Sequence, residues 1–155
     1  MQEKFTIGGI KKMKIIRVTT DNIVTVHDYP DGNFSQQNTA LSELIGNGCE
    51  MVEGVKPRRL YERLRFLCQP TMKEGESVSM LVDEEGLLKD EPIINPIGSY
   101  LYEVDKHGCP IVGNILFIGE YLTADGISFS GLSESNFNSL KGHLEQMANA
   151  LKLEV

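Results

Sequence analysis

The segment PIVGNILFIG, residues 110–119, constrains the fold most, because it is the most apolar stretch of the chain. A short apolar run between turn residues is typical of a strand that is buried on both faces. We therefore predict that it forms the central strand of a sheet. A second strand is predicted at SVSMLVD, residues 77–83.

Weaker strand signals surround these two. The β-branched runs at residues 15–19 and 23–26 flank the turn pair Asp21-Asn22, which predicts a hairpin. CEMVEGV, residues 49–55, alternates with period two and predicts another strand. ISFSGLS, residues 127–133, predicts a last short strand or a loop.

Three segments carry helix signals. SQQNTALSELIGNG predicts a helix with Ser35 as its cap and Gly46 or Gly48 at its end. Asn95 followed by Pro96 is typical of a short helix with proline at its first position. The last helix is predicted to begin at Ser133, since apolar residues then repeat at intervals of three and four: Phe137, Leu140, Leu144, Met147 and Leu151.

Residues 58–68 are ambiguous, because their apolar positions fit both a helix and an extended chain. We favour extended or irregular structure there. The whole pattern predicts a single compact α+β domain, with a mixed or mostly antiparallel sheet of about five or six strands and two or three helices, the last one amphipathic. Residues 13–119 would form the core, and residues 120–155 a C-terminal extension packed on it.

The first residues suggest a misassigned start. Gly-Gly-Ile-Lys-Lys-Met can be encoded as GGA-GGA-ATA-AAA-AAA-ATG, a purine-rich ribosome-binding sequence before a start codon. We therefore expect Met13 to be the natural start and residues 1–12 to be translated leader or a disordered tail. Losing three lysines and one glutamate would change the net charge from −7 to −9.

Composition indicates an ordinary globular protein that stays in the cytoplasm. The chain has 155 residues, of which 41% are apolar and 24% charged. It has neither a run of apolar residues long enough to span a bilayer nor a signal-peptide pattern. Three cysteines without a CxxC pair fit reduced thiols.

Charge is unevenly distributed along the chain. Residues 56–73 contain six bases and one acid, whereas residues 81–105 contain seven acids and one base. A net acidic protein is a poor candidate for sequence-independent binding to nucleic acid. The basic strip could still contact phosphate, through Arg58, Arg59, Arg63 and Arg65.

The acids cluster in LVDEEGLLKDEPIINP, residues 81–96. The simpler interpretation is a solvated turn, in which Asp83 accepts hydrogen bonds from backbone amides and Gly86 takes a positive φ. The functional interpretation is a site that binds a basic partner or a cation. Its candidate residues are Asp83, Glu84, Glu85, Asn95 and His107.

Motifs for chemistry are absent from the sequence. The three histidines are isolated, and no HExxH, CxxC, EF-hand or GxSxG pattern occurs. The only glycine-rich turn outside the leader, IGNGCE, runs from helix to strand, opposite to a phosphate-binding turn. These absences make an enzyme less favoured than a binding protein, and no cofactor or metal ion is indicated.

Several of these motifs together resemble a known family. LSELIGNGCEMVEGV, then LVDEEGLLKDEPIINPIGSYLY, then PIVGNILFIG follow one another in the order and spacing of the domain of unknown function 3846 family, over about residues 13–119. That family consists of small proteins of phages and mobile genetic elements. Many members have a basic residue after the asparagine, where this chain has Pro96. The resemblance implies a cytoplasmic accessory protein, and it implies no activity.

Two hypotheses of function follow. The first is a non-enzymatic module that binds a partner protein through its acidic face, for example a component of a host defence system. The second is a protein that binds or sequesters a small ligand, either a nucleotide or a cation. Nucleic-acid contact through the basic strip is a lesser alternative.

Overall fold

A computed structural model describes residues 12–153, so the predicted leader, residues 1–12, lies outside the described residues except for Lys12, which pairs with Asp31. Six strands and five helices lie within the described range, and the strands form one antiparallel sheet, as predicted for an α+β domain. The strands are β1 Lys14–Val18, β2 Val24–Asp28, β3 Val52–Val55, β4 Ser77–Asp83, β5 Ile115–Thr123 and β6 Gly126–Ser130. The helices are α1 Phe34–Ile45, α2 Arg58–Arg63, α3 Pro96–Leu101, α4 Val104–His107 and α5 Glu134–Leu153.

β5 is the central strand, which confirms the prediction from its apolar sequence. The order across the sheet is β2-β1-β5-β4-β3, and β6 also pairs with β5. One side of β5 pairs with β4. On its other side, the first half pairs with β1 up to Phe117, and the second half pairs with β6 from Gly119 onward.

Helices cover both faces of the sheet. On one face, α1 packs Leu41 and Ile45 against Ile15, Leu81 and other residues of a smaller core. The opposite face forms a larger core with α2, α3 and α5. Burial on both faces is clearest in the sequence of β5, which has a continuous apolar run over residues 115–118. Every residue of β4 is also buried, although Ser77, Ser79 and Asp83 are polar.

The first hairpin and α1 form largely as predicted. Asn22 adopts a positive φ of 66° in the turn between β1 and β2. The predicted cap of α1, Ser35, is wrong, because Asn33 caps the helix instead. The Asn33 side chain accepts a hydrogen bond from the Gln36 amide, and the Gln36 side chain accepts one from the Asn33 amide. Gly46 ends the helix, as predicted.

The prediction of extended or irregular structure at residues 58–68 is wrong for the first half of that range. Residues 58–63 form α2, which buries Leu60 in the larger core. The chain then leaves the helix through Arg65, whose φ is 59°. One buried side chain on a helix of under two turns gives too weak a periodic signal to distinguish from a strand. Together with α3 and α4, this short helix brings the total to five, above the two or three expected.

The C-terminal helix α5 begins at Glu134, and the Ser133 hydroxyl accepts a hydrogen bond from the Asn136 amide. The predicted apolar stripe faces the sheet, with Leu140 and Leu144 fully buried and the other stripe residues partly buried. This helix packs on β1, β2 and α3. It therefore covers the N-terminal hairpin.

Three glycines allow close backbone approach where β5 changes partner from β1 to β6. A Cβ atom on Gly119 would lie 2.3 Å from the Gly131 carbonyl oxygen and 2.6 Å from the Gly75 Cα. Gly75 in turn accepts a hydrogen bond from the Ser133 amide. The sheet and the start of α5 are thus joined through backbone atoms, and the Asn136 side-chain amide adds hydrogen bonds to the carbonyl oxygens of Gly75 and Glu76.

None of the helices in the described range is both long and apolar enough to cross a membrane.

Candidate functional site

The acidic loop, which we define as residues 84–94, connects β4 to α3 and is held at its base by Asp83. One oxygen of the Asp83 carboxylate accepts a hydrogen bond from the Glu85 amide at 2.9 Å, as the sequence predicted. The other lies 3.4 Å from the Lys89 ammonium, which also donates to the Gly48 carbonyl oxygen. Asp83 is buried, and its two contacts anchor the loop.

Gly86 contributes to the loop in another way than predicted. Its φ is not positive, and it is buried against Val112, so that an added Cβ would lie 2.7 Å from a Val112 methyl group. The backbone also pairs Ile94 with Val112 as an isolated antiparallel bridge. The prediction of a left-handed glycine is therefore wrong, because close packing against the chain before β5 requires the glycine.

Four carboxylates of the acidic loop point into solvent. Among residues 12–153, no cation forms an ion pair with any of them, and Lys89 is engaged with Asp83. The four acids and one lysine leave a net charge of −3 on the exposed loop. Because water and salt screen exposed charges, repulsion between these carboxylates costs the free protein little stability. The four residues are Glu84, Glu85, Asp90 and Glu91.

Large apolar side chains are exposed on the same loop. Leu88 keeps 81% of its surface accessible, and Ile93 keeps 61%. Leu87 and Ile94 are each 54% exposed. Single exposed apolar residues are ordinary, but four within one anchored and acidic segment are typical of a contact surface. These four residues were not among the candidates predicted from the sequence, although pairs of acids alternate there with pairs of leucine or isoleucine.

A cavity of about 650 Å³ lies on one side of the acidic loop. Its wall combines Asp83, Lys89 and Asp90 with Thr20, after β1, and Asn114, before β5. The Asn114 amide donates to the Ile45 carbonyl oxygen at 2.9 Å. This volume is within the range of small-molecule sites, and its lining combines charged groups with apolar side chains, among them Ile45, Ile93 and Val112.

Asn95 is structural and does not line a site. Its side chain is fully buried, with 0% of its surface accessible. The amide nitrogen donates to the carbonyl oxygens of Val18 and Gly113, and the amide oxygen caps α3 by accepting from the Gly98 amide. Every polar atom of the side chain is thus used within the fold.

His107 lies on the exposed helix α4 and bonds to the backbone of neighbouring residues. Its Nδ1 accepts from the Cys109 amide at 3.3 Å, and so Nε2 carries the proton and donates to the Tyr102 carbonyl oxygen at 2.8 Å. The predicted pocket of Asp83, Glu84, Glu85, Asn95 and His107 therefore does not form. Asn95 is enclosed within the fold, and both ring nitrogens of His107 bond to the backbone of nearby residues.

Two of the four arginines of the basic strip contact other parts of the chain through their side chains. Arg59 donates to both oxygens of the Asp105 carboxylate, at 2.8 and 2.9 Å, and these hydrogen bonds lower the pKa of Asp105. Arg59 and Arg63 both lie over the ring of Tyr100, at 4.3 and 5.4 Å from its centre. Arg58 and Arg65 are exposed. The acidic stretch of residues 81–105 is therefore two surfaces, and only the acidic loop is unpaired.

Metal or nucleophilic chemistry finds little support in the described part of the chain. No group of three or more histidine, cysteine or acidic side chains is arranged there to hold a metal ion. The three cysteines are free thiols. Burial, and then the nearby Asp83 carboxylate, raise the pKa of Cys49, which disfavours the reactive thiolate.

Comparisons of the chain with protein-family models, curated proteins and solved structures give no match. The resemblance to the domain of unknown function 3846 family is thus a prediction that these comparisons leave untested.

Proposed function

We propose that this chain is a protein-binding module that docks a basic partner on its acidic loop. The observation that carries the proposal is the combination, on one anchored segment, of four unpaired carboxylates and four exposed apolar side chains. The carboxylates would steer a basic partner and fix its register, and the apolar groups would supply affinity when they are buried.

The anchoring of the loop supports this function. Asp83, Lys89 and the bridge between Ile94 and Val112 hold both ends of the loop on the sheet. A loop that is already ordered loses little conformational entropy on binding. The charged and apolar side chains are thus presented in a fixed arrangement, as a specific contact requires.

The resemblance to the domain of unknown function 3846 family suggests a setting for this module. In an accessory protein of a phage or mobile element, the basic partner would be a host protein, for example a component of a defence system. Many proteins that act on nucleic acid carry basic surfaces, and an acidic loop could compete for such a surface.

A display experiment tests docking with random peptides in place of the partner protein. The full chain is immobilised and used to select binders from a random peptide library. We expect the selected peptides to be rich in lysine, arginine and large apolar residues, and their binding to weaken by roughly tenfold or more as salt is raised, because screening removes the charge attraction.

Two charge-matched variants show whether the acidic loop is responsible. Each variant replaces four exposed acids by lysine, so both change the net charge by the same amount. The loop variant should lose the selected peptides, whereas the control should retain them. Peptides without basic character, or equal loss in both variants, would contradict the proposal. The loop variant carries Glu84→Lys, Glu85→Lys, Asp90→Lys and Glu91→Lys, and the control carries Glu43→Lys, Glu62→Lys, Glu74→Lys and Asp125→Lys.

A second candidate function is small-ligand binding in the cavity beside the loop. Its volume of about 650 Å³, and a lining that sets a few charged groups among apolar side chains, favour this candidate. A ligand present at about 100 times its dissociation constant would stabilise the fold by about 2.7 kcal/mol, which thermal-shift screening with nucleotides and divalent cations would detect. Thr20→Trp should fill the cavity and abolish the shift. The absence of any shift in the native chain would remove this candidate.

A further inference from the structure

The edge of the sheet next to the acidic loop is open. β3 is the last strand in the order and, within residues 12–153, pairs only with β4. The Met51 carbonyl oxygen accepts a hydrogen bond from the Glu84 amide at 2.9 Å. In an antiparallel pair of strands, residues bond to the partner strand at every second position, so this bond shows which residues of β3 face β4. It follows that Glu53 and Val55 point their backbone groups to β4, whereas Val52 and Gly54 point theirs outward.

Nothing in the described chain closes this edge by steric means. β3 is only four residues long, and Gly54 is exposed, with a single side-chain atom, at 4.0 Å, near the position of an added Cβ. An edge strand with free amides and carbonyls is a template for a further strand. A segment added here would meet little resistance from neighbouring side chains.

The surroundings of this edge determine which segment it fits. Glu50, Glu53 and Glu84 are exposed around β3, and none of them has an ion-pair partner among the residues that the structure describes. Beside β3 lies a small cavity of about 130 Å³, lined in part by Val55, Tyr102 and Ile111. The edge therefore combines acids, open backbone groups and a recess for one apolar side chain.

We infer that the basic partner binds as an added β-strand on the edge of β3. The partner segment carries a basic residue and a large apolar residue two positions apart, so that both lie on one face of the added strand. The basic residue faces Glu53 and Glu84, and the apolar residue enters the small cavity that these acids also line. This inference rests on the proposed docking function, and it adds the partner's backbone conformation and the strand that receives it.

Charge selects against the competing occupant, a second copy of this chain. Two β3 edges placed together would bring Glu53 and Glu50 of both copies side by side, and like charges facing each other across strands are destabilising. Acids on an edge strand are a common device against self-association. A basic segment relieves the same repulsion, and so the edge discriminates between the two.

Amide hydrogen exchange measured by NMR on the full chain tests the inference. The probe is a short capped peptide with the repeat Lys-Thr-Val-Thr, which places lysine and valine in turn on one face of the added strand. We expect the peptide to slow exchange at the amides of Val52 and Gly54 by roughly tenfold or more. Methylating one alternate set of peptide amides should abolish this protection, and methylating the other set should leave it, because an added strand bonds through one edge only.

Gly54→Pro provides a second measurement. Proline removes the outward-facing amide of residue 54, so the pairing of β3 with β4 is kept. A carbonyl oxygen of the added strand then lacks the donor that β3 would have supplied. We expect this variant to bind the peptide roughly tenfold more weakly. If Gly54→Pro does not fold, the exchange and methylation results on the native chain still decide.

The outcomes separate the inference from the proposed function. If selected basic peptides bind and the loop variant loses them, but Val52 and Gly54 exchange as before, the docking function stands and strand addition is overturned. If the amides of Val52 and Gly54 are already protected in the free protein by a dimer, strand addition is also overturned. If no basic peptide binds at all, both proposals fail.

Discussion

Replacing Asn95 by alanine is expected to destabilise the fold by about 3–4 kcal/mol. The substitution removes two hydrogen bonds to the carbonyl oxygens of Val18 and Gly113 and one from the Gly98 amide, all in a fully buried position. It also leaves a cavity, because the side chain is enclosed on all sides. Urea unfolding followed by circular dichroism measures the loss.

Asn33→Ala is the matched control, since Asn33 is also an asparagine cap. Asn33 is exposed and caps α1 through a single accepted hydrogen bond to its side chain. Its replacement should cost only about 1 kcal/mol. If Asn95→Ala cost no more than Asn33→Ala, the contacts to Val18 and Gly113 would contribute nothing, and the structural role assigned to Asn95 would be wrong.

The second large effect is expected for Gly119→Ala, at about 3 kcal/mol or more. The added methyl group would lie 2.3 Å from the Gly131 carbonyl oxygen and 2.6 Å from the Gly75 Cα. Backbone atoms cannot move away as the end of a flexible side chain can. The sheet must therefore open where β5 changes partner, and the melting temperature and the urea midpoint should both fall.

Gly142→Ala separates this clash from the general effect of adding a methyl group. Gly142 lies on the exposed side of α5, with no atom within 4 Å of the added Cβ. Because alanine favours the helix over glycine, this variant should be stabilised by about 0.5–1 kcal/mol. The two substitutions should thus have opposite signs. Equal effects would mean that the contact between the three glycines does not constrain the fold.

The inner strands and the cap of α3 could be predicted from the sequence, whereas the predicted cap of α1, Ser35, lies two residues after the true cap Asn33. The apolar run of β5 and the shorter apolar run at residues 80–82 of β4 signal burial on both faces, whatever lies around them. Asn95 and Pro96 begin α3, because cap and first turn are adjacent in the sequence. The second role of Asn95 could not be predicted, since the carbonyl that it binds belongs to Val18, 77 residues away.

The candidate site was predictable only in outline. The acidic turn and its Asp83 anchor follow from local sequence, because the bond to the Glu85 amide spans two residues. The pairing of Asp105 with Arg59 spans 46 residues and divides the acidic stretch into two surfaces. Only the arrangement of the sheet shows that β3 is an edge and that the acidic loop adjoins it.

The pairing of β1 with β5 also relates the order of synthesis to the order of folding. β1 ends at Val18 and leaves the ribosome early, but the inner strand that it needs begins only at Ile115. At about 5–20 residues per second, the nascent hairpin would wait roughly 5–20 s with Ile15 and Ile16 uncovered. The growing chain thus passes through an interval in which its own sheet cannot yet protect this hairpin from aggregation.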